Sequence, residues 1–223
     1  MACGSGEDGA MGREAVWPLF GLRLETPSLL LRSATEDDMC ALAAVLPPDV
    51  EVDPSLPSHE QLSHDEQRAV GELQQQYWRN LGSWTAASWK LPFVVQAEGA
   101  LVGTQTLEAE AFTTRRVETA SWLVAGSRGR GRGREMRAAM LELAFAGLSA
   151  GFAVSSAWHD NHPSLGVSHS LVFVDNGVDL QVRGGRVDRL QRMILTAERW
   201  RGVPRPDVTL VGLEDCLALF GLA

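Results

Sequence analysis

The chain has 223 residues and a formal net charge of −8. That length favours one domain with one buried core, and 45% hydrophobic with 22% charged residues excludes a disordered or fibrous chain. The acidic balance argues against a nucleic-acid partner, which calls for a basic face, and no apolar run is long enough for a membrane span. Cys3, Cys40 and Cys216 show neither metal spacing nor a disulfide framework. A cytoplasmic location is expected, with two of the three as small core residues. Lys90 is the single lysine against 19 arginines, a bias that points to a GC-rich bacterial genome.

Residues 1–15 begin Gly-rich and polar and are expected to be a disordered tail, leaving 16–223 as one domain. Leu22 to Arg32 reads as an opening strand broken at Pro27. Thr35 is a helix N-cap with Glu36, Asp37 and Asp38 in the first turn, and Met39, Leu42, Ala43 and Leu46 follow at helical spacing until Pro47-Pro48. Residues 49–60 read as a loop, and Gln61 to Leu81 as a second helix with Val70, Leu73, Tyr77 and Leu81 on one face. Trp84 and Trp89 follow, as cleft-lining or core residues. Phe93-Val94-Val95 and Leu101 to Thr104 form a hairpin around Glu98-Gly99. A strand from Arg116 to Val124, a helix from Glu135 to Leu148 and a strand from Phe152 to Trp158 come next. A short helix runs to about Leu171, and the alternation of Leu180 and Val182, then Met193 to Leu195, suggests closing antiparallel strands. The order describes a mixed α/β (α+β) fold.

The most informative segment is Ser127-Arg128-Gly129-Arg130-Gly131-Arg132-Gly133-Arg134. Glycines at alternate positions let backbone N–H groups approach a ligand closely. The helix behind them adds its own N–H groups and the positive end of its dipole. The pattern is therefore an anion site within an acidic chain. It lacks the lysine of a nucleotide P-loop, and it follows an antiparallel hairpin rather than the first strand of a dinucleotide fold.

Arg128 to Gly133 resembles the Arg/Gln-x-x-Gly-x-Gly/Ala signature of the GNAT acyltransferases. Ser121-Trp122-Leu123-Val124 resembles that family's splayed central strand. Asn161-His162-Pro163-Ser164 resembles the Asn-x-x-Ser element of the branch related to ribosomal-protein N-terminal (RimJ/RimL-type) acetyltransferases, and Leu22 to Arg32 resembles that branch's first strand. The resemblance spans about residues 20–202. It implies a mostly antiparallel central sheet flanked by helices, with splayed strands holding coenzyme A. One departure stands out: Leu171-Val172-Phe173 carries valine where the family commonly ends this helix with glycine.

The activity so implied is direct transfer of an acyl group, acetyl or the longer succinyl, from coenzyme A to a primary amine: a protein N-terminus, a lysine or a small amine. The alternative is a non-catalytic protein that binds an acyl-coenzyme A for regulation. Cofactor binding is expected from Trp122, Leu123, Val124, Arg128, Gly129, Arg130, Gly131, Arg132, Gly133, Arg134, Asn161 and Ser164. The N–H groups near Leu123 and Val124 would meet the pantetheine, and those from Arg128 to Arg134 the diphosphate. Many family members protonate the leaving thiolate with a late tyrosine. The single tyrosine here, Tyr77, comes too early, so Ser164 is the expected acid, with Asn161 ordering the pantetheine or a water; Ser164 could equally cap its helix. Glu118 is the expected general base, with His159 and Asp160 as runners-up. No metal is expected at His159, Asp160 and His162, which lack a defined geometry. A homodimer is the expectation at family level.

Overall fold

The structure, a computed structural model, describes residues 12–50 and 60–222. In chain order these form α1 (Arg13–Val16), β1 (Arg23–Glu25), β2 (Leu30–Ser33), α2 (Glu36–Val45), α3 (His64–Arg68), α4 (Gln76–Gly82), β3 (Trp89–Ala97), β4 (Ala100–Ala109) and β5 (Arg116–Leu123). Then follow α5 (Arg132–Glu142), β6 (Phe152–Trp158), α6 (His162–Ser170), β7 (Val174–Arg183), β8 (Arg186–Thr196), α7 (Ala197–Arg201) and β9 (Thr209–Val211). A π-helical run, Ala69–Gln75, joins α3 to α4, and another, Leu143–Gly147, prolongs α5.

Nine strands of the described residues form one sheet in the order β7-β8-β6-β5-β4-β3-β2-β1-β9. Among the described residues every pairing is antiparallel except β5 with β6. That parallel pair is short, from Arg116↔Phe152 to Glu118↔Val154. Beyond it, residues 119–123 and 155–158 diverge. Each strand stays held by its outer neighbour, β5 by β4 as far as Gly103↔Leu123 and β6 by β8 as far as Trp158↔Leu190. With both outer edges fixed, the inner edges separate as the sheet twists.

Helices cover both faces. On one, α5 contributes Met136, Ala139 and Met140, and the π-helical run after it Leu143, to the main core, which continues into an aromatic group of Trp84, Trp89, Phe112 and Phe220. On the other, α2 and the α3–α4 rod close a smaller core of Met39, Leu42, Leu73, Tyr77 and Val94. Helix α2 begins with a capping box in which Thr35 and Asp38 satisfy each other's orphan groups. Arg32 of β2 adds a bidentate pair to Asp38 at 2.5 and 2.7 Å, fastening the helix to the sheet. Glu135 of α5 accepts from Thr26 and Ser28 at 2.6 Å each, which ties α5 to the β1–β2 turn.

Several expectations are adjusted. The tail over 1–15 lies largely outside the described residues, as does most of the loop over 49–60, but residues from Arg13 form a helical turn. The opening strand is two strands, β1 and β2, reversing around Pro27. The Glu98-Gly99 turn has both residues at positive φ, 52° and 78°, the geometry that matches strand twist in a two-residue hairpin. Helix α5 starts at Arg132 rather than Glu135, because Gly133 packs against Val167 and Leu123 instead of breaking the helix. Trp84 and Trp89 are core residues, stacked 5.7 Å apart. Cys216 is buried, whereas Cys40 is exposed on α2. Leu180 and Val182 alternate on β7 as expected of a strand, yet they are 70% and 67% exposed.

The end of α6 carries strain. Val172 sits at φ 59°, a left-handed conformation that a β-branched residue adopts only under constraint. Two bonds impose it: the Val172 N–H donates to the His169 carbonyl and the Phe173 N–H to the Ser168 carbonyl, which together make a Schellman motif. The glycine is missing but its backbone shape is kept. Val172→Gly should therefore raise stability by about 1 kcal/mol, despite glycine's greater freedom in the unfolded chain. Thermal unfolding checks this; a fall in Tm would show that the valine side chain contributes more than its backbone costs.

Candidate active site

The diverging ends of β5 and β6 open a cavity of about 1090 Å³. Its floor is the sheet, with Lys90, Thr104, Thr106, Glu108, Ala120 and Trp122; α2 and α4 wall one side, and α5, α6 and the glycine loop the other. Val124 turns its N–H back to Val102 of β4 at 2.9 Å. Backbone polar groups alternate in direction along a strand, so Leu123 turns its N–H and carbonyl away from β4; Arg128 takes the carbonyl at 2.8 Å, and the N–H faces the gap. Of the two residues expected to meet a ligand there, Leu123 faces the opening and Val124 does not, because its N–H is already bonded to β4.

At the mouth of the gap the chain makes a 3₁₀ turn over Ala125–Ser127 and enters the glycine loop. Gly129 and Gly131 lie at φ 73° and 79°, and Gly131 is the N-cap of α5. Arg128 donates its N–H to Ala125, and Arg134 and Glu135 donate theirs to Gly131. Among the described residues no acceptor takes the N–H of Gly129, Arg130, Gly131, Arg132 or Gly133. These consecutive donors at a helix N-terminus form an anion cradle. It is narrower than the expected span from Arg128 to Arg134, since both end residues bond within the turn.

Most arginine side chains of the run serve the protein itself. Arg128 donates Nε to the Leu123 carbonyl at 2.8 Å and both terminal nitrogens to Asp49 at 2.6 and 2.9 Å. That clasp fixes the end of β5 to the segment after α2 and holds the Asp49 carboxyl below its usual range. Arg132 reaches Ser127 at 3.1 Å, and Arg134 the Pro204 carbonyl at 2.9 Å. Arg130 is exposed.

Across the gap, α6 presents Asn161 and Ser164. Asn161 is the N-cap: its Oδ1 accepts the Ser164 N–H at 3.2 Å. Ser164 is therefore the capped residue and not the cap, and its hydroxyl bonds to no described residue. Both side chains line the cavity.

Glu118 lies at the vertex of the fork, at the last parallel pair. Its carboxylate accepts from Ser156 of β6 at 3.1 Å, bridging the strands where they begin to part. Burial first, and the neighbouring charge of Glu108 second, raise its pKa; the Ser156 bond and Arg116 oppose this. Glu118 does not itself line the cavity, but Glu108, its cross-strand partner, does. Glu108 in turn pairs with Lys90 at 2.8 Å. His159 and Asp160 are engaged elsewhere: His159 with Asp188 at 3.1 Å, and Asp160 with Arg183, which holds the Asp160 carboxyl low.

The structure thus gathers Trp122, Leu123, the glycine loop, Asn161 and Ser164 around one opening. Sequence reading missed Glu108, Tyr77, Trp158 and Arg137, which also line it. Strand parity relative to Trp122 would have placed Glu108, since Thr104↔Trp122 and Glu108↔Glu118 lie on one face. Nothing local marks Tyr77 or Trp158.

Residues 28–174 match the model of a known family, the acetyltransferase (GNAT) domain. Similar solved structures include a chimeric spermidine N-acetyltransferase SpeG from Vibrio cholerae, 17% identical over 78% of this chain and 99% of that one, with a TM-score of 0.64. A RimL ribosomal-protein α-N-acetyltransferase in complex with coenzyme A is 16% identical over 77% and 95%, with a TM-score of 0.60. At these identities the two structures show a shared fold. The family match runs from the β1–β2 turn to the start of β7 and so takes in both walls of the fork and the glycine loop; the chain belongs to the GNAT acetyltransferases and is an N-acetyltransferase.

Proposed function

We propose that this single domain transfers an acetyl group from acetyl-coenzyme A directly to a primary amine, with both substrates bound together. The observation that carries the reading is the row of free N–H groups at the start of α5, opening onto a gap whose vertex holds a carboxylate of raised pKa.

In this reading the N–H groups of residues 129–133 hold the diphosphate, and Leu123 hydrogen-bonds the pantetheine where β5 lacks a neighbour. That anchoring sets the thioester against the acceptor and removes the entropic cost of bringing two reactants together. The acceptor enters between α2, α4 and β6, where Glu72, Glu108, Tyr77, Trp122 and Trp158 supply carboxylates and aromatic faces suited to a cation. Glu118 is the general base, taking the ammonium proton through one water along the floor beside Glu108. Ser164, its hydroxyl left free by the Asn161 cap, protonates the departing thiolate, and the Asn161 amide nitrogen orders the donor. The reading includes a homodimer, supported by an exposed apolar row at the sheet edge: Val178, Leu180, Val182 and Val187. Among the described residues no helix is long and apolar enough to cross a membrane.

Calorimetry with coenzyme A, followed by release of free thiol across a panel of amines, tests the proposal. Binding with turnover is expected; binding without turnover on any amine would mark a protein that only senses the donor, and no binding would end the reading. Gly131→Val puts a β-branched residue at φ 79° and a side chain among the donor N–H groups. It should abolish coenzyme A binding while circular dichroism stays native, because among the described residues, its own chain neighbours aside, no atom lies within 4 Å of the new Cβ.

Glu118→Gln should lower kcat by 10² or more, in keeping with roughly 10²–10⁴ for a lost general base. In the parent enzyme the acid limb of kcat/KM should lie above the ordinary glutamate range, because the base must lose its proton at a raised pKa. Glu108→Gln removes a like charge and should move that limb to lower pH. For stability, a raised folded-state pKa gives a contribution that is full below the ordinary range and lost as pH rises through the raised value. Glu118→Gln should then leave Tm unchanged or higher at neutral pH, and a large drop in Tm would assign Glu118 a structural role instead.

A further inference from the structure

Arg137, on the second turn of α5, is only 5% exposed. Among the described residues no carboxylate pairs with it. Its Nη1 donates to the Ser168 hydroxyl at 2.6 Å and to the Ser164 carbonyl at 3.5 Å, while Nε is buried without an acceptor. Other shielded arginines have acids or several carbonyls: Arg32 has Asp38, Arg205 has Glu142, and Arg68 has Asp65 with the Val50 and Pro47 carbonyls. Burial lowers the Arg137 pKa to about 10, which still leaves it charged at neutral pH. A full positive charge is therefore held between α5 and α6 by a hydroxyl and a long carbonyl contact, an arrangement that is costly unless an anion arrives.

The position says which anion. Arg137 lines the cavity beside Gly133 and Val167. Helical side chains in general lean toward the N-terminus of their helix, which here is the loop whose N–H groups are free, and Arg137 and that loop line the same cavity. Residue 137 is four positions after Gly133 and shares its face of α5.

We infer that Arg137 is the buried counter-charge for a phosphate of the acyl donor, completing from beneath the site that the glycine-loop N–H groups form from above. This rests on the coenzyme A reading given above. Ser168 is a positioning residue, turning the guanidinium toward the gap. The site then pairs neutral backbone donors with one desolvated cation, and a guanidinium in low dielectric binds phosphate more strongly than one at the surface. The exposed arginines of the run already have protein partners or face solvent, so their number says little about affinity.

The test compares coenzyme A with pantetheine, which has no phosphate, in titration calorimetry on the parent, Arg137→Met and Arg137→Lys. Arg137→Met should weaken coenzyme A roughly tenfold or more and flatten the salt dependence of its Kd, while pantetheine binds all three proteins equally. Arg137→Lys should recover part of the loss. Without ligand, Arg137→Met should melt at the same temperature as the parent or higher, since an uncompensated buried charge is gone, and its stabilisation by coenzyme A should shrink. A lower ligand-free Tm with unchanged coenzyme A affinity would make Arg137 a tie between α5 and α6 and overturn the proposal. Unchanged coenzyme A affinity with a selective loss of succinyl-coenzyme A would assign the charge to an acyl carboxylate and overturn it equally. A parent protein that binds no coenzyme A would overturn the donor reading itself, whatever the variants do.

Discussion

The parallel contact between β5 and β6 lasts only from Arg116↔Phe152 to Glu118↔Val154, and the rest of the molecule is arranged around its end. A backbone edge exposed inside a sheet is ordinarily a liability. Here both strands are kept straight by outer partners, so the gap is a fixed feature of the sheet rather than a frayed end. The Glu118–Ser156 bond closes the vertex. The Arg128 clasp, from the Leu123 carbonyl to Asp49, braces the open end. Between these two ties, β5 presents Leu123 to the gap and delivers the chain straight into the glycine loop.

How far this was legible in the sequence depended on how local each signal was. The glycine loop was legible because alternate glycines announce a backbone that must approach something closely, and two of them do adopt positive φ. Asn161 and Ser164 were legible as a pair, but their division of labour was not. Either residue can cap a helix, and only the hydrogen bond from the Ser164 N–H to Asn161 shows which one does. The strands were legible by alternation, yet alternation does not say which face is covered: Leu180 and Val182 alternate as a strand does and are exposed. Tryptophans are ambiguous by type alone. Trp84 and Trp89 stack in the core while Trp122 and Trp158 line the cavity, a difference fixed by which face of the sheet each meets.

Arg137 shows a further limit of periodicity. The apolar stripe of α5, through Met136 and Met140, marks one buried face. A helix wedged between a sheet and another helix has two, and the second can hold a residue whose type argues for solvent. Val172 is comparable: the sequence says valine, while the backbone bonds at the end of α6 demand the shape of glycine. In both places tertiary packing overrides a local preference, and both lie on α6 or against it. The cavity wall opposite β5 is where this chain departs furthest from what its residue types would choose.

A folded protein pairs nearly all of its buried polar groups. The groups this fold leaves without partners therefore carry information that an arginine count does not. Among the described residues they include the N–H groups of residues 129–133, the gap-facing N–H of Leu123, the Ser164 hydroxyl and the Arg137 Nε. They come from three different elements, and all but the Arg137 Nε adjoin a group whose partner is within the protein: Ala125 and Gly131 at the ends of the loop, Val102 for Val124, Asn161 for the helix cap. Unpaired groups scattered at random would imply poor packing. Trp89, Gln105 and Thr119 each leave one buried side-chain atom unpaired away from the cavity, but the groups that converge on the gap, donors almost throughout, imply a ligand rich in acceptors: anionic at the loop and amide-like along the strand.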